Sequence, residues 1–89
     1  MNEPNVKLHK KCAKQLARLS ERQRTEVIDT IELFLNNPTD PSLRNHELEA
    51  EWAGYRSISV EDDLRLHFKI LKGGVVYFVA LGTHSQLYK

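Results

Sequence analysis

The chain has 89 residues, 40% apolar and 28% charged, which is the composition of one globular domain and too short for two independent cores. No apolar run approaches the roughly 20 residues that cross a bilayer. Residues 1–11 lack the apolar centre of a secretory signal, and the single Cys12 cannot close an intrachain disulfide, so a cytoplasmic location is expected.

The net charge of +1 hides a segregation. Residues 1–24 carry seven Lys/Arg against two acids, residues 25–63 two against ten, and residues 64–89 four against none. If the first helix and the last strands lie side by side, they make a basic surface suited to phosphates.

Val6 and Leu8 alternate with Asn5 and Lys7, which predicts a short first strand after Pro4. From about His9 the period changes to that of a helix. Cys12, Leu16 and Leu19 recur at three- and four-residue spacing beside Ala13 and Ala17, with Lys10, Lys11, Lys14 and Arg18 mainly outside. Among those neighbours Cys12 is expected to be a packed thiol. Ser20 is the expected N-cap of a second helix, with Gln23 placed to complete a capping box. Val27, Ile31 and Phe34 form its apolar stripe, broadened by Ile28 and Leu35, and Asn36-Asn37-Pro38 stops it. The two helices should pack as a hairpin on a sheet.

Residues 37–45 read as a surface loop, and His46 to Glu51 as either a short strand or an extended approach to Trp52, itself expected in the core. Two alternating stretches follow. Ile58 and Val60 oppose Ser57 and Ser59; after the acidic turn Glu61-Asp62-Asp63, Leu64, Leu66, Phe68 and Ile70 oppose Arg65, His67 and Lys69. Gly73-Gly74 supplies the next turn, and the apolar run Val75 to Leu81 fits a central strand ending at Gly82. The order is β-α-α-β-β-β: an α+β domain over residues 1–89, with a helical hairpin on an antiparallel sheet.

No glycine-rich phosphate loop, GxSxG element or close zinc-ligand pair occurs, so neither metal nor cofactor is expected. Histidines, arginines, an acid and a tyrosine remain near the sheet. Such groups can move protons and hold developing negative charge without metal.

His46-Glu47-Leu48, Trp52-Ala53-Gly54-Tyr55-Arg56, Asp63-Leu64-Arg65-Leu66-His67-Phe68 and Gly82-Thr83-His84-Ser85-Gln86-Leu87-Tyr88 occur in this order. Together they resemble the RelE/ParE superfamily of bacterial type II toxins, in particular its YafQ-like branch. The resemblance spans nearly the whole chain, and its most specific part is the Gly-Thr-His-x-x-Leu-aromatic ending. It implies a RelE-like fold and a ribosome-dependent mRNA endonuclease. A co-encoded antitoxin would wrap it, in a hetero-oligomer that binds its own operator DNA through the antitoxin. The superfamily also implies two rivals: a gyrase inhibitor of the ParE type, or a toxin-like chain that only binds an antitoxin.

The resemblance places His46, Asp63, His84 and Tyr88 at positions that look functional in the YafQ-like branch. Arg65 matches an arginine that RelE-like nucleases use at the scissile phosphate. Ser57 and Ser59 stand where an aspartate and a histidine can occur, and Ala80 where an arginine can. The expected roles follow from the chemistry of RNA, whose 2′-hydroxyl attacks the adjacent phosphate. His46 and His84 exchange protons, Asp63 orients a histidine or shares that work, and Arg65 stabilises the transition state. Tyr88 and His67 stack on a splayed base, with Lys69 also on the RNA.

Overall fold

The computed structural model describes residues 5–88 as a five-stranded sheet with two helices on one face and a single helical turn at its end. The strands are β1 (Val6–Leu8), β2 (His46–Glu47), β3 (Arg56–Glu61), β4 (Leu64–Ile70) and β5 (Val76–Thr83). The helices are α1 (Lys10–Ala17), α2 (Glu21–Asn36) and α3 (His84–Leu87). Among the described residues no helix is long and apolar enough to cross a membrane.

The spatial strand order is β1-β5-β4-β3-β2, with antiparallel pairing throughout except that β1 runs parallel to β5. The expected antiparallel sheet is therefore mixed. A parallel pair needs a long crossover, and here everything from α1 to β4 lies between the two partners. His46–Glu47 settles as a two-residue edge strand on β3, and α3 adds a turn that the apolar pattern did not announce.

Local chemistry fixes the helices. The His9 ring accepts from the Lys11 N–H to cap α1. Ser20 and Gln23 close the capping box that starts α2. On α2 the fully packed stripe is Val27, Thr30 and Phe34, while Ile28 is half exposed and Ile31 only partly buried. Thr30 can sit there because its hydroxyl donates to the Glu26 carbonyl at 2.8 Å, one turn back. Phe34 meets Phe68 edge to face at 4.8 Å, and Phe68 lies 5.7 Å from Phe78. These rings join Ile58, Leu66 and Leu81 in the core between helices and sheet.

The run from Val75 to Leu81 is continuous for a second reason besides its central place. His67 pairs with Ala80 but Phe68 pairs with Phe78, so Val79 is an extra residue on β5. Such a bulge resets the alternation and lets Phe78 and Leu81 both face the helices. On the other face the ladder leaves two rows. One is His46, Ser57, His67 and Ala80; the next is Ser59, Arg65 and Gly82.

Candidate functional site

The site is built where the β3–β4 turn meets the end of β5. Glu61 pairs with Leu64, which leaves a two-residue turn of Asp62 and Asp63. Asp62 takes a left-handed φ of 38°, a conformation aspartate tolerates better than most residues. Across the sheet, Gly82 lies under the side chain of Gln86: a Cβ at Gly82 would stand 2.9 Å from Gln86 Oε1. That close approach lets Gln86 reach back to the Thr83 N–H at 2.8 Å while the Thr83 hydroxyl accepts from the Gln86 N–H. The Gly-Thr-His-Ser-Gln segment is thus a capping box, and it starts α3 at His84.

These two constructions bring Asp63, Arg65 and His84 together. One Asp63 carboxylate oxygen accepts from the His84 backbone N–H at 3.3 Å, and the other lies 3.7 Å from Arg65 Nη2. Arg65 Nη1 lies 3.4 Å from His84 Nδ1. A guanidinium only donates, so His84 Nδ1 is the acceptor and the neutral ring carries its proton on Nε2. Tyr88 tilts over the His84 ring at 4.6 Å. Four of the expected site residues therefore form one cluster.

His46 stands apart from them on the exposed edge strand β2, two strands from Arg65. At the usual strand spacing that is about 10 Å between backbones. Its Nδ1 lies 2.7 Å from the Arg44 carbonyl oxygen. A carbonyl only accepts, so Nδ1 carries the proton and Nε2 keeps a free lone pair. Ser57 lies between His46 and His67 in the ladder, with Ser59 one step along beside Arg65. Ser57 and Ser59 thus lie inside the site.

His67 is placed differently from expectation. His67 is fully buried, with the Trp52 ring edge to face at 4.4 Å and the Tyr88 ring at 5.6 Å. Alternation along β4 put it on the open face correctly, but these two aromatic rings cover that part of the face. It offers no surface on which a base can stack. Burial, then the positive charges of Arg65, His46 and His84, push its pKa down to about 4. Lys69 lies beyond His67 on the side away from Arg65, with Nζ 5.0 Å from the centre of the Tyr55 ring.

Trp52 also departs from expectation. It packs on the open face rather than in the helix-side core, and its Nε1–H donates to the Leu87 carbonyl at 3.2 Å, tying α3 to the sheet. Period-two patterning cannot place it, because it sits in a short helical turn, Ala50–Trp52, outside any strand. Gln86 was also passed over, although Thr83-x-x-Gln86 carries a capping signal.

The basic surface exists in part. α1 packs against β5, and a cleft of about 440 Å³ between them is lined by Lys11, Gln15, Arg18, Leu81, Gly82 and Gln86 among others. The cations of the first helix thereby lie next to the turn that carries His84. Gln15 closes one side of the cleft by accepting from the Leu81 N–H at 2.8 Å.

Residues 4–89 match the family model described as the bacterial toxin of type II toxin–antitoxin system, YafQ. The mRNA interferase toxin YafQ of Escherichia coli (strain B / BL21-DE3) is 30% identical over 76 residues, covering 83% of this chain and 82% of that protein. The crystal structure of YafQ from E. coli strain BL21(DE3) superposes with a TM-score of 0.81 at 24% identity, over 98% of this chain and 100% of that one. The toxin in the crystal structure of the E. coli DinJ–YafQ complex gives 0.76 at 25% identity, with the same coverage.

Proposed function

We propose, for a chain that belongs to the YafQ family of bacterial type II toxin–antitoxin toxins, that it is an endoribonuclease cutting mRNA held in the ribosome. The observation that carries this reading is the Asp63–Arg65–His84 cluster on an open sheet face.

RNA brings its own nucleophile, so the protein has to move two protons and hold charge. His46 Nε2, left free by the bond from Nδ1 to the Arg44 carbonyl, accepts the proton of the 2′-hydroxyl. His84 gives a proton to the departing 5′-oxygen from its imidazolium form and returns to the neutral ring; in that form Nδ1 carries a proton and releases Arg65, whose guanidinium turns to the phosphate. Arg65 meets the phosphorane-like transition state, where its planar fork matches two phosphate oxygens. Asp63 holds the His84 backbone and steadies Arg65. Tyr88, half exposed over His84, stacks on a base beside the cut. His46 lies too far from the cluster to position RNA without help, which is where the ribosome enters: it holds the message in line across the two strands.

The same reading includes an antitoxin that covers this surface, as DinJ is found with YafQ in E. coli. An acidic segment of that partner suits Lys11 and Arg18 in the cleft beside α3. The toxin–antitoxin pair then binds its operator through the antitoxin.

The test is a pH–rate profile for single-turnover cleavage. The wild type should give a bell, and His46→Ala and His84→Ala should each lower the rate by roughly 10² to 10⁴ while removing one limb. Undiminished cleavage by both variants would end the acid–base assignment.

A further inference from the structure

His67 is a polar side chain in a place that offers it nothing polar. It is fully buried at the middle of β4, and neither Nδ1 nor Nε2 has a hydrogen-bond partner among the described residues. Unmatched buried donors and acceptors cost stability, and an aliphatic residue would fill the strand without that cost. What the imidazole supplies is a flat ring. Trp52 stands on it at 4.4 Å and 83°, and Tyr88 packs against it at 5.6 Å and 61°. Both rings lead to α3: Trp52 through its bond to the Leu87 carbonyl, Tyr88 through its contact with His84. A helix of four residues cannot hold itself in water, so its place depends on this seat.

We infer that His67 is a positioning residue, whose neutral ring is the floor on which Trp52 and Tyr88 seat the C-terminal turn, fixing His84 against Arg65 and Asp63. The consequence for cleavage rests on the nuclease reading above; the seating of α3 does not.

The seat requires an uncharged ring. The charged groups that act on His67 are Arg65 on its own strand, His46 on β2 and His84 on α3, and no carboxylate is among them. Its ladder partners Ser57 and Ala80 carry no charge, and Tyr88 presents a ring. A second proton on His67 would find no acceptor, and the turn would lift to let water in. Burial keeps that proton away until about pH 4, so the floor persists at neutral pH.

Trp52 is the one tryptophan of the chain, so its emission reports the seat directly. The experiment compares the full-length wild type, His67→Ala and His67→Phe. It measures tryptophan emission with acrylamide quenching, and single-turnover cleavage against the concentration of translating ribosomes. His67→Ala should shift the emission to the red and raise quenching. It should also lower the cleavage rate constant roughly tenfold to a hundredfold, the usual cost of misplacing a reacting group by about 1 Å, with the half-saturating concentration unchanged. His67→Phe keeps a ring and should keep both emission and rate at neutral pH. On acidification the wild-type emission should change with a midpoint near pH 4, and that change should vanish in His67→Phe.

Wild-type emission and rate in His67→Ala would overturn the inference. So would a His67→Phe variant with wild-type emission and no cleavage, because the imidazole would then act on the RNA itself. Should His67→Ala fail to fold, His67→Phe and the acid titration decide. Should the wild type cleave nothing, the nuclease reading falls, and the emission measurements still decide whether His67 seats α3.

Discussion

The buried imidazole makes stability depend on pH in a way that can be worked out and isolated. In the unfolded chain His67 takes a proton near its ordinary value of 6.5, whereas burial in the fold pushes that value down to about 4. Between those values the unfolded chain binds more protons, so stability falls as pH drops through that window and no further below it. At about 1.4 kcal/mol per pKa unit the full effect is about 3 kcal/mol, most of it expressed by about pH 4.5. This is an upper value, since lifting α3 would hydrate the ring before the sheet opens. The assay is urea denaturation at about pH 7 and about pH 4.5 for the wild type and His67→Phe. Glu61 and Asp40, held below the usual carboxylate range by hydrogen bonds from Arg22 and from Ser42, also lose stabilisation as they protonate in acid. They are present in both proteins and cancel in the comparison. The wild type should lose about 2 to 3 kcal/mol more than the variant between the two conditions. Equal losses would refute the reasoning that His67 is held neutral by its burial.

Two further substitutions test the cluster. Arg65→Lys keeps the charge but loses the planar fork, so cleavage should fall roughly 10² to 10³, the loss typical of removing one preorganised donor. Its melting temperature should stay near that of the wild type, and wild-type cleavage by this variant would remove Arg65 from the scissile phosphate. Gly82→Ala puts a Cβ 2.9 Å from Gln86 Oε1 and 3.3 Å from its Cβ, which should break the capping box of α3. Stability should drop by about 1 kcal/mol, while cleavage in the extract falls about tenfold or more because His84 moves; an unchanged rate would mean that the turn's geometry is not needed.

Alternation along β3 and β4 was enough to place Ile58, Leu66 and Phe68 inside and Arg65 on the open face, because a half-buried strand writes its two sides into the residue order. Ser20 and Gln23 announced the start of α2 for an equally local reason. The parallel pairing of β1 with β5 was not legible, since it joins segments far apart in the chain and a three-residue strand carries no mark of its partner's direction. Nor was the burial of His67. Alternation gives the side a residue faces, not what covers that side, and the cover comes from Trp52 and Tyr88 in segments outside the strands. His46 was named through the family resemblance, but its separation from Arg65 by two strands followed only from the ladder.

The most direct measurement adds the purified chain to a translating extract and maps the new 5′ ends of the message. We expect cuts within translated reading frames, none when initiation is blocked, and roughly 10²- to 10³-fold fewer with Arg65→Lys at matched concentration. Intact mRNA in the presence of a folded chain that arrests growth with DNA damage would contradict the nuclease reading and place the chain's action at gyrase instead.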